Sequence, residues 1–357
     1  MPDATLTLVD VMQRHGSAAT PLDRKVVEEV IYQAPVFAKM PVKVLKGTNY
    51  KYQVRDSIPV IGPRPYNAGV EALKSSYRTE NAECFPYDGK ILVDKLLADS
   101  DPEGPNAMMA EEMTAHTRGT MFGLETALFY GDAVSKFGMR GLRNTIADYM
   151  TRSIDPAKNS ESTREEGGST VWFLQMRADK MSVMFGNSKT IAFGPQRTQD
   201  VLRPTGEVDE SGQPIMGTME ALIRHCTFHV GFVQKSIFAA GCLVNIDKAH
   251  PLTDEAIAEA LEMFPAGERP THIVMNSRAL STLRKSRAQQ LTYRKGQSGQ
   301  VTYAETPTEF EGIPIIVTDA LLADETSANI AALGKKKHLN ALDFIDTANL
   351  TNPNKEK

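Results

Sequence analysis

A chain of 357 residues that is 41% hydrophobic and 24% charged has the length for roughly two domains and the composition of an ordinary soluble globular protein. Its 40 Lys and Arg are mixed with 44 Asp and Glu, and the net charge of −4 argues against a tight, whole-surface grip on nucleic acid. No apolar run approaches the roughly 18 residues of a membrane span, and the first residues lack the basic-then-apolar layout of a signal peptide. Cys84, Cys226 and Cys242 form no C-x-x-C pair; an odd count spread so widely argues against a disulfide framework and for a reducing cytoplasm.

Residues 1–46 carry short helical patterns at 7–15 and 22–32. Pro35 and Pro41 stop either from extending, so this stretch reads as an arm laid across another surface. From 49 to 55, Tyr50, Tyr52 and Val54 alternate with Lys51, Gln53 and Arg55, the pattern of a half-buried strand. Pro59, Gly62, Pro63 and Pro65 then break the chain. A second extended run over 70–83 is polar on both faces, and a third over 90–97 returns towards a long helix. An isolated two-stranded ribbon is marginal in water and needs a surface to lie on. Its own subunit offers no obvious one, so a neighbouring subunit is expected to cover it, with Tyr50 and Tyr52 on the buried side and Arg55 and Arg78 placed for rim ion pairs.

The long helix spans 105–131. Met109, Met113, Thr117, Thr120, Leu124 and Leu128 recur at spacings of three and four and make one apolar stripe. Glu111, Glu112, Arg118 and Glu125 fall off it, towards solvent or another subunit. Pro105 suits the first turn and Gly131 the left-handed residue that closes a helix. At about 1.5 Å per residue the rod is about 40 Å long. Gly119 and Gly123 each cost about 1 kcal/mol relative to Ala in a helix interior, which suggests that another backbone passes close there.

The stretch 148–170 is polar and turn-rich, a loop or a junction between lobes. Residues 171–174, with the only Trp, and 181–185 read as buried strands, while 194–195 and 207–214 read as turns. The longest strand-like region runs over 218–247. There Leu222, Cys226, Phe228, Val230 and Phe232 alternate with His225, Thr227 and His229, and a second run at 237–246 is expected to pair alongside, flanking the long helix. An amphipathic helix over 254–264 has Thr253 as its N-cap. A strand at 271–276, a basic helix at 278–287, a flexible stretch at 295–299 and a strand within 310–319 follow. Residues 331–357 read as an exposed tail.

Little here points to catalysis. His225, Cys226 and His229 tempt a metal reading, but on a strand the two histidines lie about 13 Å apart at about 3.3 Å per residue, too far for one ion. No phosphate-binding glycine loop and no G-x-S-x-G elbow occurs. Asp254, Glu255, Glu259 and Glu262 form a carboxylate face with no Lys or His nearby, which reads as solvated. The one basic concentration is Arg284, Lys285, Arg287, Arg294 and Lys295, set to meet nucleic acid, acidic residues of another copy, or only solvent at a helix C-terminus.

Two motif sets carry a family resemblance. Leu128-Phe129-Tyr130-Gly131-Asp132, then Phe137-Gly138-Met139-Arg140-Gly141-Leu142, resembles the signature that follows the spine helix in tailed-phage major capsid proteins of the Hong Kong 97 type. The THIVMN strand at 271–276, a helix, a flexible loop and GIPIIVTDAL at 312–321 are similar to the strand–helix unit of their axial domain. Here that unit follows the long strands, the order of one branch of the family. The resemblance implies an α+β fold with a spine helix, an extended β-hairpin loop, and peripheral and axial domains. It implies an arm at 1–46, the extended loop at 47–100, a peripheral domain at 101–147 and 218–248, an axial domain at 148–217 and 249–330, and a C-terminal segment at 331–357. It further implies a structural protein, not an enzyme, with no cofactor or metal, that joins itself in pentamers and hexamers as an icosahedral shell around double-stranded DNA contacted weakly and without sequence specificity. A separate scaffolding protein is expected, since about 46 residues before the loop are too few for an internal scaffold, together with a portal and a possible decoration protein. No membrane partner is expected. The destination is the virion, assembled in the host cytoplasm. Subunit-interface candidates are Tyr50, Tyr52, Arg55, Arg78, Arg284 and Arg287. An encapsulin-like compartment shell and an unrecognised α+β enzyme are the alternatives. Lys51, Lys74 and Lys90 lie where some relatives cross-link, but no motif singles one out.

Overall fold

The structure is a computed structural model that describes residues 34–131, 139, 141–143, 153–154, 168–295, 305–323, 325 and 345–346, leaving out 65, 68, 71, 189, 190, 192, 209–212, 237, 248 and 249 within those spans. The helical patterns at 7–15 and 22–32, and most of 148–167 and 331–357, lie outside the described residues.

Pro35 opens a short helix α1 (Pro35–Lys39), where its missing N–H leaves nothing unpaired, and Val36, Phe37 and Ala38 are buried. After β1 (Val42–Val44), the strands β2 (Asn49–Pro59) and β3 (Ser76–Glu83) form an antiparallel ribbon, from Asn49 opposite Glu83 to Ser57 opposite Ser76. The second run thus starts later than its polar pattern implies. The third run starts earlier, as β4 (Phe85–Asp94). It turns helical as α2 (Lys95–Asp99), whose first turn is capped by Asp94 accepting from the Leu96 N–H at 3.0 Å.

The spine helix is α3 (Pro105–Tyr130). Its N-cap, Gly104, has φ 89, a left-handed conformation that favours glycine. Its other end corrects the expectation for Gly131, which closes the helix at φ −56 rather than in the left-handed region. Glycine is needed there for space, because a Cβ would run into the carbonyl oxygens of Met139 and Ala127. Of the expected stripe, Met109, Thr117, Leu124 and Leu128 are buried, and Met113 and Thr120 half-buried. From Met121 onwards the burial widens from a stripe to most of the circumference, taking in Ala127, Phe129 and Glu125. Apart from their own helix, Gly119 and Gly123 have no atom of the described residues within 4 Å of an added Cβ, so no other described backbone passes there.

The remaining elements are β5 (Ser153–Ile154), β6 (Ser169–Leu174), β7 (Met181–Phe185), β8 (Arg197–Val208), β9 (Pro214–Gln234), β10 (Ala240–Ile246), α4 (Asp254–Glu262), β11 (His272–Met275), α5 (Ser277–Lys295), β12 (Glu309–Phe310), β13 (Ile313–Val317) and β14 (Ile345–Asp346). A five-stranded sheet has the order β1-β7-β9-β4, with β8 also on β9; a six-stranded sheet has the order β12-β13-β11-β6-β10-β5. β4 pairs with 221–230 along one edge of β9, while β8 and β7 share the other at 214–223 and 230–234.

The long strands β9 and β10 therefore do not pair, contrary to expectation. Between them the chain crosses from one sheet to the other, held by the Lys235 N–H on the Lys180 carbonyl and the Gln175 N–H on the Ala239 carbonyl. The hydrogen-bonded sheets also cut across the expected division. β7 and β8, within 148–217, join β9, and β10, within 218–248, joins β6 and β11.

β6 is buried at every position because it is covered on both faces. Trp172 and Leu174 face the cluster of α1 and the C-terminal half of α3, with Phe129 and Trp172 ring centroids 5.9 Å apart. Val171 and Phe173 face α4 and α5, with Phe173 6.4 Å from Phe264.

Candidate functional site

The ribbon β2–β3 has a supported base, carries β14 on β2 at its far end and has an uncovered tip beyond it. Ile345 lies opposite Ile58 and Asp346 opposite Pro59, so this part of 331–357 is not a free tail. Tyr50 and Tyr52 lie on one face, rings 6.0 Å apart and stacked at 12°. They pack on Leu45, Ala82, Cys84, Met184 and Val233 of their own chain, so the ribbon has a surface at its root that its sequence does not announce. The Lys43 ammonium lies 3.7 Å from the Tyr50 ring centroid and Lys235 5.8 Å. The hydrogen bond with Lys43 holds the Tyr50 hydroxyl below the usual tyrosine range. Tyr52 donates to Glu80 at 2.8 Å, and Arg78 pairs with the same carboxylate at 2.9 Å. The backbone of Arg55 opposes Tyr77; its side chain lies outside the described residues. Beyond the base, Ile61, Tyr66 and Val70 are 92%, 99% and 72% exposed. Apolar side chains so fully in water call for a partner surface.

A second projection is the hairpin of β8 and β9, which is not expected from sequence. Leu202, Ile215 and Met216 are exposed on it, and Lys95 of α2 pins its base through Glu220 at 2.8 Å.

The basic helix is less available than its composition implies. Arg287 forks onto Asp254, Nη2 to Oδ1 at 2.7 Å and Nε to Oδ2 at 2.9 Å, tying α5 to α4. The carboxylate face thus has an arginine partner where no Lys or His was expected, and Arg287 is committed within its own subunit. Arg284 is exposed on α5; the Arg294 and Lys295 side chains lie outside the described residues. His225 and His229 sit on β9, the first exposed, the second half-buried beside Asn187. Cys226 points into the core, where burial pushes its thiol up to about 11. Among the described residues, no three His, Cys, Asp or Glu converge as metal ligands would.

Sequence reasoning missed the burial of Glu125 and Glu325, two of the three carboxylates buried among the described residues. Glu125, expected off the apolar stripe, is 0% exposed. One oxygen accepts the Val36 and Phe37 N–H groups at 3.0 Å each; the other is bound by the Thr318 hydroxyl. Burial pushes its pKa up to about 7 against those three donors. Glu325 accepts from the Tyr130 hydroxyl at 2.5 Å and Thr170 at 2.8 Å, with Arg143 at 3.5 Å. Burial, reinforced by that carboxylate, drives the Tyr130 hydroxyl up. The available signal for Glu125 is its setting: Met121, Leu124, Ala127, Leu128 and Phe129 spread over about half of the helix circumference, an arc that takes in position 125.

A family model described as major capsid protein GP7 matches residues 21–329. No curated protein matches the chain. Among solved structures, that of bacteriophage epsilon15 superposes with a TM-score of 0.54 at 15% identity, over 81% of this chain and 87% of that one. The capsid of bacteriophage JBD30 gives a TM-score of 0.44 at 11% identity, over 80% and 90%. At such identity the epsilon15 likeness speaks for the fold alone.

Proposed function

The chain belongs to the major capsid protein GP7 family and is a structural protein of a phage shell with the Hong Kong 97 type fold, and from this premise we propose how it builds that shell. Copies join in pentamers and hexamers and enclose double-stranded DNA, which a surface of net charge −4 contacts weakly and without sequence specificity. The protein works by self-association rather than by catalysis. Residues 1–46 act as the arm, rooted in its own subunit through α1 and β1, and the distal part of 47–100 acts as the extended loop. The peripheral domain is α3 with the β9 sheet, and the axial domain is the β11 sheet with α4 and α5. A separate scaffolding protein sets the size of the shell, a portal fills one vertex, and a decoration protein can sit outside. Assembly takes place in the host cytoplasm. Of the interface candidates, Arg78 and Arg284 are exposed enough to reach a neighbour directly, while Tyr50, Tyr52 and Arg287 support surfaces that do.

The observation that carries this reading is the ribbon tip, whose Ile61, Tyr66 and Val70 have no cover in their own chain among the described residues. A linker in place of the whole ribbon, 50–88, would strip Ala82, Cys84, Phe85 and Tyr87 from the packed interior and so confuse folding with assembly. The decisive variant is narrower: a short Gly/Ser linker in place of 60–75. The expected subunit is folded, melts close to wild type and fails to close shells. Intact shells from that variant overturn the assignment.

A further inference from the structure

We propose that Glu125 is a proton-operated latch joining α1, the spine helix and the chain after β13: the neutral carboxyl closes it and ionisation loosens it. This does not rest on the shell reading and holds for a single subunit.

The geometry is a three-way junction. Glu125 projects from α3, two of its bonds come from successive N–H groups of α1, and the third comes from Thr318, just past β13. All three donors are neutral, and among the described residues no cation bonds to the carboxyl. The charged or titratable groups of the surrounding elements lie aside. Lys39 of α1 and Asp319 beside Thr318 are exposed. Tyr130, further along α3, is engaged by Glu325. His272 of β11 is pushed down to about 4, by burial and then by Lys39, so it stays neutral above that pH.

Either protonation state can use this frame, but not equally. With the carboxyl neutral, one oxygen still accepts from Val36 and Phe37, and the other carries a proton to share with Thr318 Oγ1. Thr318 Oγ1 also accepts the Ala320 N–H at 3.1 Å, which steadies it. With the carboxylate ionised, the same bonds form, but a full charge sits in the core without a counter-ion. Opening the junction lets that charge reach water. The folded-state value near 7 lies above the ordinary glutamate value of 4.5. The closed junction therefore binds its proton more tightly than the open one, and its stability is complete below about 4.5 and lost as pH rises to about 7.

The test is amide hydrogen exchange at Val36 and Phe37 across pH 4.5 to 8.5, corrected for intrinsic rates, with Val274 and Ile316 as core references. Wild-type protection at the two α1 amides should fall by about tenfold per pH unit up to about pH 7 and then level off. In Glu125→Gln, whose amide keeps an acceptor for the N–H groups and a donor for Thr318, protection should be flat. The same fall in that variant overturns the proposal, as does a flat or rising wild-type profile. Should the variant fail to fold, the sign of the wild-type slope still decides.

Discussion

At the scale of single residues, glycine does opposite things along the spine helix. An added methyl at Gly131 would collide with two carbonyl oxygens, whereas one at Gly119 would meet nothing among the described residues outside its own helix. Gly131→Ala should therefore leave little folded subunit, because backbone on both sides must move. Gly119→Ala should stabilise the isolated subunit by about 0.5–1 kcal/mol, read as a raised melting temperature. Lost stability there would mean that an atom approaches this face after all. Leu128 is 0% exposed in the main cluster, so Leu128→Ala should cost about 2–5 kcal/mol in denaturant melts. Leu128→Asp should yield little soluble protein. The burial of Glu125 was not legible, because a stripe read at spacings of three and four assumes one solvent face. In the second half of α3 that face narrows: α1, β6 and the β9 sheet cover the side that bears Glu125, while Phe122 stays exposed.

At the scale of elements, those with a buried face could be read from their residues. The stripe of α3, the enclosed runs of β6 and β7, the Cys226–Phe228–Val230 alternation and the Thr253 cap all correspond to packed surfaces; Thr253 accepts the Ala256 N–H at 3.2 Å. β8 was invisible for the opposite reason. Its residues from Leu202 to Thr205 are exposed, so no alternation marks it, and Pro204 reads as a break. The β9–β10 pairing failed because neighbouring strands in sequence usually pair, whereas here the chain changes sheets at Lys235–Ala239. The junction between α4 and α5 is testable at this scale. Asp254→Asn keeps the shape but removes the charge from the fork with Arg287, and should cost about 1–2 kcal/mol. An unchanged melting curve would show that apolar contacts alone hold the two helices.

At the scale of the whole molecule, the packed interior and the projections divide the labour. Two sheets close around the C-terminal half of α3, while the ribbon tip and the β8–β9 hairpin carry apolar side chains into water. On the proposed assembly such tips add little to one subunit and gain their value when many copies meet, since each contact then repeats across the shell. The spine helix and the two capsid-like motif sets were legible from sequence, and with them the fold. The receiving surface, which on the proposed assembly belongs to another copy, leaves no local periodicity to read. The most direct measurement is electron microscopy of the purified, concentrated protein. Closed shells with five- and six-fold clusters are predicted, each ribbon tip lying against a neighbouring subunit. A population of small, discrete oligomers with no rings or shells, its ribbon tips in solvent, would contradict the account.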